Sequence, residues 1–180
     1  KDDDGVGEST DNVGRAIYMI DAETGTLKWS MARENAKTIF SGGDSIPSSI
    51  AVLDSDSDGL VDRLYTGDTG GNVWRVDMPS DDPTGTEPWS VFKLASLGGD
   101  TNSTDRRFFN EPAIVRTFIT ETIESQVTDA EGDTSTVTVH QEIPYDAILL
   151  GSGDRSNPLG TDTDDVFFML KDKNIITQTF

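Results

Sequence analysis

The sequence contains no cysteine in 180 residues and a single histidine, His140. The lack of cysteine excludes disulfide frameworks, thiolate zinc sites and cysteine nucleophiles. One histidine cannot supply the paired histidines of common zinc motifs. His140 lies in the alternating run TVTVHQEI, and this pattern predicts an exposed strand position rather than a catalytic base.

Long apolar runs and basic residues are also scarce. No window approaches the roughly 18–20 apolar residues that a membrane-spanning helix needs, so we expect no membrane insertion within this chain. The 14 basic residues stand against 33 acidic ones, a formal net charge of −19. Nucleic acid binding depends on Lys and Arg side chains that neutralise phosphates, so this balance argues against it and favours cations as ligands.

Short strand-like runs are what the sequence does contain. They recur between clusters of Gly, Asp, Ser, Asn and Pro, which predicts an all-β fold. The predicted strands are 16–21, 26–31, 49–54, 63–68, 72–77, 89–95, 113–119, 146–153 and 166–172. The stretch MARENAKTIF, residues 31–40, is the one plausible short helix. The run GDTGGN, residues 67–72, lacks the lysine of a phosphate-binding loop and predicts a tight hairpin turn.

Two segments resemble each other and suggest a repeated unit. AIYMIDAETGTLKWS and GNVWRVDMPS each carry a strand that ends in aspartate, Asp21 in the first and Asp77 in the second. VFFMLKD is a candidate third copy. Recurring strand–turn–strand units predict a β-propeller with antiparallel four-stranded blades, and an antiparallel sandwich is the alternative. The strands suffice for roughly two to three blades, so we interpret residues 1–180 as a fragment of one β-propeller domain.

The segment 120–144 predicts an inserted polar β-hairpin. TETIESQVTD and TSTVTVHQEI alternate β-branched and polar residues, and AEGD joins them. We expect no continuous apolar face here and a hairpin that projects from the edge of a blade. Contact with a partner and a solvated decoration are both open roles.

The strongest chemical signal is the run DSDSDGLVD. Asp54, Asp56 and Asp58 occupy positions one, three and five, and alternate carboxylates at this spacing can wrap around one hard cation. Gly59 at position six permits a sharp reversal that a β-carbon would obstruct. An acidic surface turn without an ion is the alternative.

The second half of the run completes a calcium loop. The backbone carbonyl of Leu60 at position seven and the carboxylate of Asp62 at position nine are the further predicted ligands. With one bidentate carboxylate and one water the loop reaches about seven ligands, the number that Ca²⁺ prefers and Mg²⁺ does not. Position twelve is Tyr65 instead of the glutamate of an EF-hand, and both flanks predict strands.

Two other acidic runs are weaker candidates for a metal. Asp2, Asp3 and Asp4 are consecutive rather than alternating, which is typical of a disordered terminus. The run TDTDD, residues 161–165, could form a second loop site.

Residues 46–78, IPSSIAVLDSDSDGLVDRLYTGDTGGNVWRVDM, resemble the PilY family of type IV pilus tip and biogenesis proteins. Weaker support comes from GRAIYMIDAETGTLKW, NEPAIVRTFI and AILLGSGD. The resemblance implies a modified β-propeller on an exported, pilus-associated protein. It also implies that the calcium loop regulates pilus extension, retraction and surface attachment, with pilus components or a host or abiotic surface as partners.

Two alternatives to this non-catalytic function remain at this point. Strands of the xDxxTGxxxW type also resemble quinoprotein dehydrogenases, but Trp29, Trp74 and Trp89 all lie in predicted strands where blade packing accounts for them. The other alternative is an adhesion or scaffold propeller whose calcium is purely structural.

Overall fold

The computed structural model describes Asp11 and residues 13–178 of the chain. Its strands are β1 (Ala16–Ile20), β2 (Leu27–Ala32), β3 (Thr38–Ile39), β4 (Ala51–Leu53), β5 (Arg63–Gly67), β6 (Asn72–Asp77), β7 (Ser90–Ser96), β8 (Ala113–Thr128), β9 (Thr134–Gly151) and β10 (Phe167–Asp172). A single 3-10 turn, Asn102–Thr104, is the helical element of the described residues. None of their helices is long and apolar enough to cross a membrane.

The strands form three sheets, and the all-β prediction is confirmed. The first sheet has the order β1-β2-β3, the second β4-β5-β6-β7 and the third β10-β9-β8. All strand pairs are antiparallel except the short parallel pair β2–β3. The second sheet is a complete four-stranded antiparallel meander, as expected for one propeller blade.

Large aromatic side chains hold the first sheet against the second. Trp29 and Met31 of β2 are fully buried against Trp74 and Val76 of β6. The ring of Phe40 meets that of Trp74 edge-on at 4.5 Å. Because successive strand residues face opposite sides, Trp74 and Val76 face the first sheet while Arg75 faces the third.

The interface between the second and third sheets combines apolar and charged groups. Tyr65 and Val73 pack here against residues of the third sheet, among them Ile148 and Leu150. Burial raises the pKa of Tyr65 above its ordinary value of 10.0, and its hydroxyl donates to Asp172 at 3.1 Å.

Two arginines with fully buried side chains lie at the same interface. Arg63 donates to Asp146 at 2.7 Å, and Arg75 binds both carboxylate oxygens of Asp77 and one of Asp172. Backbone carbonyls of residues 174–176 accept further N–H groups of both arginines, and the hydroxyl of Thr177 accepts the Nε–H of Arg63 at 3.0 Å. Buried charges are tolerated when they are paired and hydrogen-bonded in this way, and removing one partner is costly.

The turn between β5 and β6 is built around Asp68. Its fully buried carboxylate accepts N–H groups of Gly70 and Asn72 and the indole N–H of Trp74. Burial raises the pKa of Asp68. Gly71 takes a positive φ of 77°, which glycine adopts without strain. The predicted tight turn at residues 67–72 is therefore confirmed.

The short helix predicted for residues 31–40 is wrong. Residues 31–32 complete β2, and Thr38–Ile39 form β3 beside it. The buried ring of Phe40 and a 2.9 Å hydrogen bond from the Trp29 indole to the Thr38 hydroxyl hold the segment against the sheet. These tertiary contacts override a helical propensity that is a weak signal over so few residues.

Segment 120–144 forms the outer part of one long hairpin. The strands β8 and β9 pair without a break from Ala113↔Leu149 to Thr128↔Thr134. This register places six β-branched residues of both strands on one face, Ile119, Ile123, Val127, Val137, Val139 and Ile143. Polar residues lie between them on the same face, at 121, 125, 135 and 141, so the face is not continuously apolar. Every residue from 120 to 142 is exposed. We call residues 120–142 the ribbon.

The candidate third copy, VFFMLKD, forms β10 but faces the other way. Asp77 and Asp172 both bind Arg75 from opposite sides of the interface. A true repeat would place the two aspartates on the same side of their sheets. The sequence pattern predicted this strand, but it does not show which face of the strand meets the neighbouring sheet.

Candidate metal centre

The loop 54–62 connects β4 to β5 at one end of the second sheet. Leu53 and Arg63 are the last paired residues on its two sides, and the N–H of Asp62 donates to the carbonyl of Leu53 at 2.9 Å. The tight path requires two left-handed residues, Ser57 with φ 66° and Gly59 with φ 92°. Gly59 is therefore the residue that permits the reversal, as the sequence predicted.

Asp54 organises the loop through its side chain. One carboxylate oxygen accepts the N–H groups of Ser57 at 2.7 Å and Asp58 at 3.2 Å, and the other accepts that of Gly59 at 2.9 Å. Asp58 in turn accepts the N–H of Leu60 at 2.8 Å. These bonds fold the loop back on the aspartates, because a short acidic side chain can replace a backbone turn bond.

Three predicted ligands converge. Asp54, Asp56 and Asp58 each contribute one carboxylate oxygen, and these atoms all lie within 4.8 Å of one another. Asp54 is half-buried, while Asp56 and Asp58 are exposed. Calcium–oxygen distances of about 2.3–2.6 Å allow two ligands of one ion to be at most ~5 Å apart. The three oxygens therefore fit a single coordination shell.

Asp62 and Leu60 lie outside this group of three. One oxygen of Asp62 accepts the N–H of Ser55 at 2.6 Å and also the Ser55 hydroxyl. The Leu60 side chain is exposed. The roles of the Asp62 carboxylate and the Leu60 carbonyl as ligands stay predictions.

A pocket of about 410 Å³ adjoins the loop. Its walls come from the loop itself, from β1 and from residues 78–89, and they include Met19, Asp81 and Trp89. Asp81 is an acidic neighbour that the sequence did not identify, since no alternating pattern leads up to it. The loop thus lies among other acidic and apolar groups at this end of the sheets.

Arg116 is a second residue that sequence reasoning missed. Its guanidinium donates to the carbonyl of Ser55 at 2.8 Å and to both oxygens of Asp146. The hydrogen bonds to Asp146 raise the pKa of Arg116. An arginine in an alternating strand gives no sequence signal for such a contact, because its partners lie 30 and 61 positions away.

The weaker acidic candidates do not form a comparable cluster. Among the described residues, the group of three at Asp54, Asp56 and Asp58 is the one that could hold an ion. Asp162 and Asp165 line a separate polar pocket beside Arg107. Asp2, Asp3 and Asp4 lie outside the described residues.

The remaining candidates of the sequence have structural surroundings. His140 is exposed on β9, as predicted. Its ring nitrogen lies 3.1 Å from the Thr122 hydroxyl across the ribbon. Trp29 and Trp74 are buried between the first two sheets, and Trp89 meets Trp29 at 5.2 Å. All three tryptophans therefore serve packing.

Comparison with known proteins identifies the family to which the sequence of this chain belongs. The sequence model of the PilY1 beta-propeller domain matches residues 4–111, which include the whole first and second sheets and the loop. The chain is 33% identical over 93 residues, 49% of its length, to a type IV pilus biogenesis factor PilY1 of Pseudomonas aeruginosa. It is 41% identical over 49 residues, 27% of its length, to a PilY1 homolog of Xylella fastidiosa.

The chain covers a small part of these relatives, 8% of the first and 3% of the second. No solved structure matches it. The similarity therefore assigns the family and the propeller architecture, and the activity of a whole relative does not follow from it.

Proposed function

Because the chain belongs to the PilY1 β-propeller family, we propose that it is a calcium-binding, non-catalytic part of a type IV pilus biogenesis factor. The convergence of Asp54, Asp56 and Asp58 within 4.8 Å carries this proposal. In this function the loop 54–62 senses calcium outside the cell. Its state regulates pilus extension and retraction and attachment to a host or abiotic surface, with pilus components as partners.

The chemistry of the loop favours calcium over other metals. All candidate ligands are hard oxygen atoms, and the chain has no cysteine and one distant histidine to bind a softer ion. The exposed, turn-built loop can adapt its geometry, whereas Mg²⁺ demands a near-ideal octahedron and retains its waters. A bound calcium ion supplies two positive charges that offset the repulsion among the aspartates.

The residues of the loop have distinct tasks in this proposal. Asp54 shapes the turn with one set of lone pairs and offers others to the ion, since a carboxylate has about four acceptor sites. Asp56 and Asp58 provide exposed oxygens. Asp62 joins when its free oxygen turns inward, and the Leu60 carbonyl fills a further position.

A genetic test separates a regulatory from a purely structural ion. The double substitution Asp56→Asn and Asp58→Asn is placed in the gene of the whole protein, with Asp162→Asn and Asp165→Asn as the matched acidic control. Twitching motility and the number of surface pili are measured at low and millimolar calcium. We expect the loop variant to lose the calcium dependence of both, and the control to keep it.

Unchanged calcium dependence in the loop variant would contradict the regulatory role. Equal protein levels must be verified by immunoblot, so that a loss of folding is not counted as a loss of regulation. A loop variant that binds no calcium yet leaves pilus dynamics unchanged would support the scaffold alternative.

A further inference from the structure

The metal loop and the ribbon occupy corresponding positions in neighbouring sheets. The loop 54–62 joins the first two strands of the second sheet, β4 and β5, and the ribbon is the outer part of the hairpin formed by the first two strands of the third sheet in chain order, β8 and β9. The strands β4 and β8 are in contact. Both connections therefore extend from the same end of adjacent sheets.

Arg116 ties the base of the ribbon to the loop. It lies opposite Asp146 in the β8–β9 register and binds both oxygens of that carboxylate, at 2.8 and 3.1 Å. Its third contact, the carbonyl of Ser55 at 2.8 Å, lies inside the loop. Asp146 also accepts a 2.7 Å bond from Arg63, the residue that follows the loop directly. The ribbon base is thus bonded to both ends of the loop.

Ser55 is the link between this anchor and the metal ligands. Its N–H and hydroxyl bind the carboxylate of Asp62, while its carbonyl accepts from Arg116. It also lies between two predicted ligands, Asp54 and Asp56. A turn of the Asp62 carboxylate towards an ion in the loop alters its bonds to Ser55, and Ser55 is the residue whose carbonyl accepts from Arg116.

The ribbon itself has little other support. All of its residues are exposed, and Lys173 reaches Glu121 across 3.8 Å on the surface. A two-stranded ribbon without packing is marginally stable in water. Its order and direction therefore depend on the rigidity of its base.

From these contacts we propose that ion binding in the loop 54–62 orders and orients the ribbon through the guanidinium of Arg116. The inference rests on the proposed function, since it needs a calcium ion in the loop. It assigns the ribbon as the element whose position reports the state of the loop. The fork of Arg116 suits this role because its donors hold Asp146 and Ser55 at the same time.

Hydrogen–deuterium exchange of the full chain, followed by mass spectrometry on peptides from residues 120–142, tests the coupling. In the wild type we expect saturating calcium to slow exchange about tenfold, equivalent to ~1.4 kcal/mol. Arg116→Met should reduce this response to less than about twofold. Lys173→Met, which removes the cation that pairs with Glu121 of the ribbon, is the matched control and should retain the response.

Titration calorimetry with calcium on the same samples distinguishes a failure of the proposed calcium site from a failure of the coupling to the ribbon. Wild-type protein that binds no calcium would overturn the proposed function and the coupling together. Calcium binding without any change in ribbon exchange, or with an equal change in Arg116→Met, would overturn the coupling alone. If Arg116→Met fails to fold, Arg116→Lys keeps the charge but cannot bridge both partners, and the response should again be lost.

Discussion

Calcium should raise the unfolding temperature of the chain, because it binds the folded loop and offsets the repulsion among its aspartates. In the absence of an ion, three aspartate oxygens lie within 4.8 Å of one another. At this separation each pair repels by about 0.9 kcal/mol in water, or roughly 2.6 kcal/mol for three pairs. Folding without calcium bears this cost, which salt partly screens.

Calcium binds the folded loop and therefore stabilises the native state by mass action. At a calcium concentration of 100 times the Kd the gain is about 2.7 kcal/mol. For a chain of this size each kcal/mol corresponds to roughly 2–4 °C, so the expected rise in Tm is about 5–11 °C. Scanning calorimetry in EGTA and in calcium measures the difference.

The double variant Asp56→Asn and Asp58→Asn is the control for this prediction. Each of these two side chains accepts its turn hydrogen bond on one oxygen, so an asparagine carbonyl can replace it, but the negative charges are gone. We expect no calcium response and a Tm in EGTA no lower than that of the wild type. The reasoning is refuted if calcium leaves the wild-type Tm unchanged, or if the double variant shows the same rise.

Three further predictions concern the rest of the fold. Asp77→Ala removes the bidentate partner of the buried Arg75 and should cost about 3 kcal/mol of unfolding free energy in urea titrations. The control Asp81→Ala, on the surface, should cost less than ~0.5 kcal/mol. Similar costs for the two variants would contradict the stabilising role of the buried network. Replacing the exposed ribbon 120–142 by Asn-Gly should change stability by less than ~1 kcal/mol, because its residues bury little surface; a large loss would show that the ribbon supports the core. Turn hydrogen bonds lower the pKa of Asp21 below 3.8, so its contribution to stability is present above that pH and is lost as the pH falls through the lowered pKa. Asp21→Asn should therefore make the decline of Tm below about pH 4 shallower, and an unchanged slope would count against this assignment.

Much of the fold could be predicted because local patterns and tertiary structure agree. The strand β6 was predicted to the residue, since a glycine-rich turn precedes it and it is rich in β-branched and aromatic residues. Position 59 was identified as the reversal because the loop pattern requires a glycine there. The clustering of Asp54, Asp56 and Asp58 follows from their alternation within one tight turn, so short-range sequence was sufficient.

Contacts between residues far apart in the chain could not be predicted from the sequence. Nothing in residues 31–40 indicates that Phe40 fills a core made by another sheet. Which side chains of the ribbon share a face depends on the pairing register of β8 and β9, which places Ile123 opposite Val139. The contact between Arg116 and Ser55 joins two sheets, and neither strand carries a signal for it.

A crystal structure of the chain grown with millimolar calcium tests the central claim most directly. We predict an anomalous difference peak bound by oxygens of Asp54, Asp56 and Asp58 at about 2.3–2.6 Å. Aspartate side chains that point apart into solvent, with no peak among them at that calcium concentration, would contradict the claim that this loop is a calcium site.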